Sequence, residues 1–256
     1  MEIRFGPSGL GPVKNAIENL ERYAKLGLTA CEIAFTYGAY IKKEDAIKIG
    51  EVAKKLNIKL SIHGPYFVNL NSKEPEKIEA SKKRILKSCE IGNYLGAEQI
   101  VFHSGFYSGM DKEETYQNIK IQIIELLKEV KKNKYNVKIS PEVMGKINVF
   151  GSIDEISRLV KETGCSFTID FAHILARYKE TKFKEVIESF PQKEWHCHFS
   201  GIEYGDKGEK KHINTKESEF LDLLDNISKL DKKITIINES PQSTEDSVLG
   251  LKLYNN

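Results

Sequence analysis

Short apolar segments alternate with amphipathic segments along the whole chain. Eight apolar runs have the length and the flanking turn residues of buried β-strands. We predict strands near residues 2–6, 30–35, 59–63, 99–103, 137–142, 166–170, 194–199 and 234–239. The segments between them carry apolar residues three and four positions apart, as in Val13, Ile17, Leu20 and Ala24. This spacing predicts helices with one apolar face turned toward the sheet.

Turn and cap residues fall where this alternation needs them. Gly27, Gly96 and Gly164 each stand between a helical pattern and the next strand, where a left-handed cap is favoured. Ser152 followed by Glu155 predicts a capping box at the start of a helix. Both signals place element boundaries independently of the hydrophobic pattern.

Eight strands alternating with eight helices in 256 residues predict a (β/α)8 TIM barrel. A doubly wound open sheet is the alternative for the same alternation. No change in composition suggests a linker, so residues 1–256 are expected to form a single TIM-barrel domain.

Composition narrows the function classes only slightly. The chain has 39 basic and 37 acidic residues, a net charge of +2, so any nucleic-acid binding must come from a local patch. No run is long enough for a membrane span, and the N-terminus leads directly into a strand pattern without a signal peptide. The four cysteines lack metal or disulfide spacing. We therefore expect a cytoplasmic protein with reduced thiols.

Histidines and carboxylates cluster at the ends of the predicted strands. In a barrel these ends and the loops after them form the active-site face. Five of the six histidines lie there. The candidate metal ligands are His63, His103, Glu142, Asp170, His173, His198, His212 and Glu239.

Imidazole and carboxylate ligands together suit Zn²⁺, Mn²⁺ or Fe²⁺. A single zinc needs three or four protein ligands, so eight candidates indicate more than one ion, bridged by a carboxylate. A lone histidine at a strand end is more often a satisfied polar core residue, but five are hard to explain in that way. His196 lies deeper on the same strand face as His198 and is interpreted as structural, and Cys197 faces the helices.

Several motifs spaced along nearly the whole chain resemble the endonuclease IV family of metal-dependent apurinic/apyrimidinic (AP) endonucleases, within the xylose isomerase-like barrels. Each motif is weak alone, but they occur in the family's order. They are His63-Gly64-Pro65-Tyr66 with Asn69-Leu70, Phe102-His103-Ser104-Gly105, Pro141-Glu142, Ile169-Asp170-Phe171-Ala172-His173, His198-Phe199, His212 and Glu239-Ser240-Pro241.

The resemblance implies a (β/α)8 barrel with up to three zinc ions. The implied ligand sets are His63, His103 and Glu142 for one ion, Glu142, Asp170, His198 and Glu239 for a second, and His173 with His212 for a third. In the family an aspartate two residues before the last histidine completes the third set. Here Lys210 occupies that position, and Glu209, Asp206 or Glu203 would have to replace it. The sequence therefore implies two to three ions.

The resemblance also implies a reaction and a partner. The family hydrolyses the phosphodiester 5′ to an abasic site in damaged duplex DNA during base excision repair, and a missing base lowers the cost of extruding the nucleotide. Glu142 would be the catalytic residue, and Tyr66, with Phe67 beside it, would contact the DNA stack. Lys210 and Lys211 could meet phosphates. We expect the chain to act as a monomer.

Two other function classes fit the same residues. A single-metal sugar isomerase or epimerase needs only Glu142, Asp170, His198 and Glu239, with the glutamates moving protons beside a carbonyl. The additional histidines argue against it, whereas the missing aspartate and the near-neutral charge favour it. A metal-stabilised binding module without activity is the third possibility.

Overall fold

The computed structural model describes residues 2–256 and contains the predicted (β/α)8 barrel. The eight barrel strands lie close to the predicted positions. They are β1 (Glu2–Pro7), β2 (Ala30–Ala34), β3 (Lys59–His63), β4 (Gln99–Phe102), β5 (Lys138–Pro141), β6 (Thr168–Asp170), β7 (Glu194–Phe199) and β10 (Lys233–Asn238).

A helix follows every barrel strand, directly or after a loop. These helices are α1 (Ala16–Lys25), α2 (Lys43–Lys55), α3 (Pro75–Leu95), α4 (Lys112–Lys132), α5 (Ile153–Thr163), α6 (Phe171–Tyr178), α7 (Phe183–Ser189), α8 (Glu217–Ile227) and α9 (Ser243–Asn255). The pattern predicted one helix after β6, but the chain forms α6 and α7 there. Lys179 ends α6 with a left-handed backbone at φ 62°. None of the helices within residues 2–256 is long and apolar enough to cross a membrane.

All strand pairs of the barrel are parallel, and they form two four-stranded arcs. One arc has the order β1-β10-β7-β6 and the other β2-β3-β4-β5. Two isolated parallel bridges close the arcs into a ring, Ser8 with Glu32 between β1 and β2, and Glu142 with Thr168 between β5 and β6. Both seams thus have a buried glutamate, Glu32 in the middle of β2 and Glu142 directly after β5.

One element of the fold was not predicted. After β7 the chain forms an antiparallel hairpin, β8 (Gly201–Gly205) and β9 (Gly208–Ile213), before α8 begins. The hairpin packs on α6, and Gly208 forms a bridge with Lys146 in the loop after β5. A short hairpin with charged residues lacks the apolar alternation that marks a core strand.

The loop after β5 is held from two sides. Arg177 of α6 donates from Nη1 to the carbonyl oxygens of Met144, Lys146 and Val149 at 3.3, 2.7 and 3.1 Å. Since this loop and the hairpin both border the barrel mouth, these contacts fix the walls of the candidate site.

The predicted caps are confirmed. Gly96 and Gly164 take left-handed conformations with φ of 68° and 73° at the ends of α3 and α5. Ser152 accepts a hydrogen bond from the Glu155 amide at 3.2 Å, and the Glu155 carboxylate accepts from the Ser152 amide at 2.9 Å. The four cysteines are free and buried.

Replacing Ser152 by alanine is expected to lower the free energy of unfolding by about 1 kcal/mol, because an orphan amide of α5 loses its partner. Urea denaturation followed by circular dichroism measures the change. Ser157→Ala on the same helix is the control, since its hydroxyl bonds only the nearby Asp154 carbonyl. Equal stability losses in the two variants would contradict the capping role.

Candidate metal centre

The structure brings all eight predicted ligands to the C-terminal mouth of the barrel. His63 ends β3, His103 and Glu142 follow β4 and β5, and Asp170 ends β6. His173 lies in the first turn of α6, His198 in β7, His212 in β9 and Glu239 directly after β10. The position of each follows from parallel strands that all point their carboxyl ends at one face.

Glu142 is the centre of the cluster. Its carboxylate is fully buried and faces four imidazoles. Oε2 lies 3.3 Å from Nε2 of His63 and 3.1 Å from Nε2 of His103. Oε1 lies 3.1 Å from Nδ1 of His198 and 3.4 Å from Nδ1 of His173. The two oxygens therefore point to different ligand sets, as a bridging carboxylate requires.

The ligand atoms of the eight candidates form four overlapping groups, each with its members within 4.8 Å of one another. One is His63, His198 and Glu239. The other three are His63, His103 and Glu142; Glu142, Asp170, His198 and Glu239; and Asp170, His173 and His212. They coincide with the three implied ligand sets, with Asp170 added to the third. Nitrogen and oxygen donors at this density fit Zn²⁺, Mn²⁺ or Fe²⁺.

Asp170 gives a direct indication that a cation fits. Its Oδ1 accepts the His173 amide at 2.7 Å and so caps α6. Its Oδ2 is buried and has no hydrogen-bond partner among residues 2–256, although Nδ1 of His173, which bonds the Val143 carbonyl, lies 3.3 Å away. Burial raises the pKa of Asp170 to about 6. A buried carboxylate oxygen without a donor is costly unless a cation or proton compensates it.

The carboxylates also set the protonation of the histidines. Burial alone would lower the pKa of His63, but the hydrogen bond and the charge of Glu142 outweigh it and raise the pKa to about 9. Burial is likewise outweighed at His198 and His173, where the charges of Glu239 and Asp170 are the leading opposing causes, and both pKa values are raised. In the metal-free protein these imidazoles carry the positive charge that metal ions would replace.

A β-bulge at Lys210 resolves the departure from the family motif. On β8 the consecutive residues Glu203 and Tyr204 pair with Lys211 and Glu209, so Lys210 has no opposite residue. An extra residue interrupts the alternation of a strand, so the residues beyond it face the side opposite to the one that regular alternation would give. The carboxylate of Glu209 thus turns inward, with Oε2 at 3.4 Å from Nε2 of His173.

Two further features fit Glu209 as a metal ligand. His173 Nδ1 lies 3.0 Å from the Val143 carbonyl, and donation there leaves Nε2, the atom facing Glu209, free for a metal. Gly145 makes room for both side chains, because a Cβ there would come within 2.8 Å of Glu209 Cβ and 2.9 Å of His173 Cδ2. Among the three acids weighed from the sequence, Glu209 reaches His173, whereas Glu203 pairs with Lys210 and Lys211.

The predicted DNA-contacting residues lie around the mouth. Tyr66 is 59% exposed, and its ring centroid lies 6.0 Å from that of His63 and 5.9 Å from that of His103. Phe67 beside it is 60% exposed. Lys210 and Lys211 are exposed, but both pair with Glu203 at 3.5 and 3.4 Å, which reduces the local positive charge.

Sequence reasoning missed one residue of the site, Glu32. It lies in the middle of an apolar run, Cys31-Glu32-Ile33, and is 1% exposed inside the barrel. Its carboxylate contacts both His196 and His198. A glutamate inside a strand that is otherwise apolar was the available signal, but it did not stand at a strand end and was not weighed.

Comparisons with known proteins agree with this architecture. A family model described as "Xylose isomerase-like TIM barrel" matches residues 20–246, and the chain belongs to this family. An uncharacterized protein of Methanocaldococcus jannaschii is 36% identical over 98% of this chain and 96% of its own. A probable endonuclease 4 of Mesomycoplasma hyopneumoniae is 32% identical over 44% of this chain and 41% of its own.

Solved structures from different enzymes share the fold. D-psicose 3-epimerase superimposes with a TM-score of 0.71 at 18% identity, covering 99% of this chain and 98% of that one. Endonuclease IV from Thermus thermophilus superimposes with a TM-score of 0.67 at 20% identity, covering 100% and 97%. At these identities the likeness shows the fold, and the choice of chemistry depends on the site.

Metal binding at neutral pH is expected to release at least one proton per chain. Because the pKa of His63 is about 9, the ring is protonated at pH 7 and must lose its proton to become a ligand. Apparent affinity should therefore rise with pH from 7 to about 9. Titration calorimetry with Zn²⁺ in buffers of different ionisation enthalpy counts the protons, and heats that are independent of the buffer would contradict the assignment.

Replacing Glu209 by glutamine is expected to lower the bound metal by one ion per chain at limiting Zn²⁺, because the third ligand set loses its charged oxygen. Elemental analysis after gel filtration measures the metal. Lys210→Ala is the matched control and should leave the count unchanged, since Lys210 points away from His173. A higher metal count in the Lys210 variant and no loss in the Glu209 variant would mean that the family register, not the bulge, governs the site.

Proposed function

We propose that this protein is a metal-dependent phosphodiesterase that cleaves DNA 5′ to an abasic site, with two to three ions, preferably Zn²⁺. The proposal rests chiefly on one observation. Histidines of three different strands or loops face the two oxygens of Glu142, on opposite sides of one buried carboxylate. A one-ion enzyme has no use for this many ligands, whereas a bridged cluster uses all of them.

The candidate ligands fall into three sets according to their positions around the barrel mouth. His63 and His103 would hold one ion against Glu142, and Asp170, His198 and Glu239 would hold the next. Glu209, His173 and His212 would hold the third. When bound, such ions supply Lewis acidity and positive charge toward the phosphate oxygens. Glu142 would offer one oxygen to each of two ligand sets, and its burial excludes water from the carboxylate.

The loops around the mouth suit a nucleic-acid substrate. Tyr66 and Phe67 expose most of their rings directly after the His63 ligand, and the Tyr37 ring lies 6.3 Å from that of Phe67. Exposed aromatic rings near a reaction site offer stacking surfaces for bases beside an extruded nucleotide. The similarity to probable endonuclease 4 sequences supports the same substrate.

A sugar isomerase or epimerase is the second candidate, and a specific observation favours it. Glu142, Asp170, His198 and Glu239 alone form a compact group that would hold one ion. A cavity of about 140 Å³ borders the group and is lined by Ser8, Thr36 and other side chains of the mouth. A cavity of this size admits one sugar ring. The ring could belong to a free sugar or to an abasic nucleotide.

A nicking assay separates the candidates. A duplex with one tetrahydrofuran abasic site should be cut on its 5′ side by the metal-loaded protein, and chelator should stop the reaction. Glu142→Gln should lower the rate by roughly a thousandfold. The two metal ions that Glu142 would bridge are expected to lower the activation free energy by several kcal/mol. Glu21→Gln, at an exposed carboxylate of α1, is the control and should stay within about twofold.

The opposite result is equally informative. A protein with its full metal content that leaves the abasic duplex intact at low salt, yet converts a ketose to its epimer, would replace the nuclease proposal by the second candidate. Metal content measured on the same sample ensures that inactivity is not due to an empty site.

A further inference from the structure

Beneath the metal ligands the barrel buries a carboxylate that the cluster itself does not need. Glu32 of β2 is 1% exposed. Among residues 2–256 its ion-pair partners are His196 and His198, not a lysine or an arginine. Burying a carboxylate costs several kcal/mol unless its partners compensate it, and an apolar residue of similar size would often be as stable. Packing alone therefore gives little reason for a glutamate here.

The two oxygens of Glu32 have separate partners. Oε2 lies 3.0 Å from Nε2 of His196 and accepts the Ser61 hydroxyl at 2.7 Å. Oε1 lies 2.9 Å from Nε2 of His198. The two atoms are close but are not aligned as a hydrogen bond, and neither has a hydrogen-bond partner within the described chain. Oε2 is thus anchored, and Oε1 is directed at the candidate ligand His198.

His198 lies between Glu32 and the metal cluster. Its Nδ1 faces Glu142 at 3.1 Å and Glu239 at 3.5 Å, on the side opposite to Glu32. A neutral imidazole carries its proton on one nitrogen, and only the other can bind a metal. A carboxylate that accepts Nε2–H therefore leaves the Nδ1 lone pair directed into the cluster. Such contacts behind metal-binding histidines orient the ring and raise its basicity.

We propose that Glu32 is a positioning residue that orients His198 and fixes its tautomer, with Nε2 protonated and Nδ1 available as the metal ligand. Ser61 and His196 hold Glu32 in turn, which gives His196 a role behind the site and accounts for its depth in the barrel. The inference rests on the metal cluster of the proposed function but not on its substrate, so it applies equally to a nuclease and to an epimerase.

Metal affinity of the isolated protein tests the proposal without an activity assay. Glu32→Gln should weaken Zn²⁺ binding 10- to 100-fold, roughly the effect of losing such a contact, with the number of ions unchanged. Competition with a fluorescent chelator measures the affinity. Ser88→Ala is the control, because it removes a buried hydroxyl of α3 that donates to the Arg84 carbonyl and does not contact Glu32 or His198. It should change affinity by less than about threefold.

Melting temperatures separate positioning from packing. Metal that binds only the folded state raises the melting temperature by an amount that grows with the logarithm of its affinity. If Glu32 positions His198, Glu32→Gln reduces the rise produced by Zn²⁺. If Glu32 only supports the barrel, the metal-free protein melts earlier and the rise is unchanged, which overturns the proposal. Should the glutamine variant fail to fold, Glu32→Asp keeps the charge, withdraws it from His198 and should show the same loss of affinity.

Two other outcomes are equally decisive. Loss of one whole ion in Glu32→Gln would mean that Glu32, His196 and His198 hold a cation themselves, and the positioning role would be wrong. A wild-type protein that binds no Zn²⁺, Mn²⁺ or Fe²⁺ would remove the metal-dependent function itself and this inference with it. Normal metal binding by every variant would overturn only the role of Glu32.

Discussion

The burial of acidic oxygens beside imidazole rings is the interaction on which the site depends. Glu142 and Asp170 are fully buried at adjacent strand ends, and the nearby positive charge comes from histidines rather than from lysine or arginine. Such an arrangement is stable only while protons or metal ions balance the carboxylates. The raised pKa of His63 and the lack of a hydrogen bond at Oδ2 of Asp170 have the same cause, which is that the buried carboxylates depend on histidines for positive charge.

This constraint is linked to how the barrel closes. The two four-stranded arcs meet through single bridges, and each bridge includes a buried glutamate, Glu32 at one seam and Glu142 at the other. His198 lies between these glutamates and contacts both. The two glutamates whose backbones take part in these bridges also direct their carboxylates at His198, so that closure of the barrel places both acids beside the candidate metal cluster.

The fold by itself does not choose between phosphate and sugar chemistry, because epimerases and endonuclease IV share it. In this chain Glu142, Asp170, His198 and Glu239 form one compact group, and four further histidines lie around it. One of these, His173, lies three residues after Asp170, in the first turn of α6. Asp170 both caps that helix and faces the cluster, so one carboxylate positions its neighbour and contributes to the site.

The sequence alone determined the barrel and most of the site. Alternation of strands and helices, the glycine caps and the histidines at strand ends are local patterns, and parallel strands bring their carboxyl ends together in any barrel. The tertiary structure decided what depends on contacts between distant segments. The bulge at Lys210 turns Glu209 inward, Gly145 of another loop makes room for it, and Glu32 meets a histidine 166 positions away. A one-residue shift in a hairpin reverses side-chain facing, and only strand pairing in three dimensions shows it.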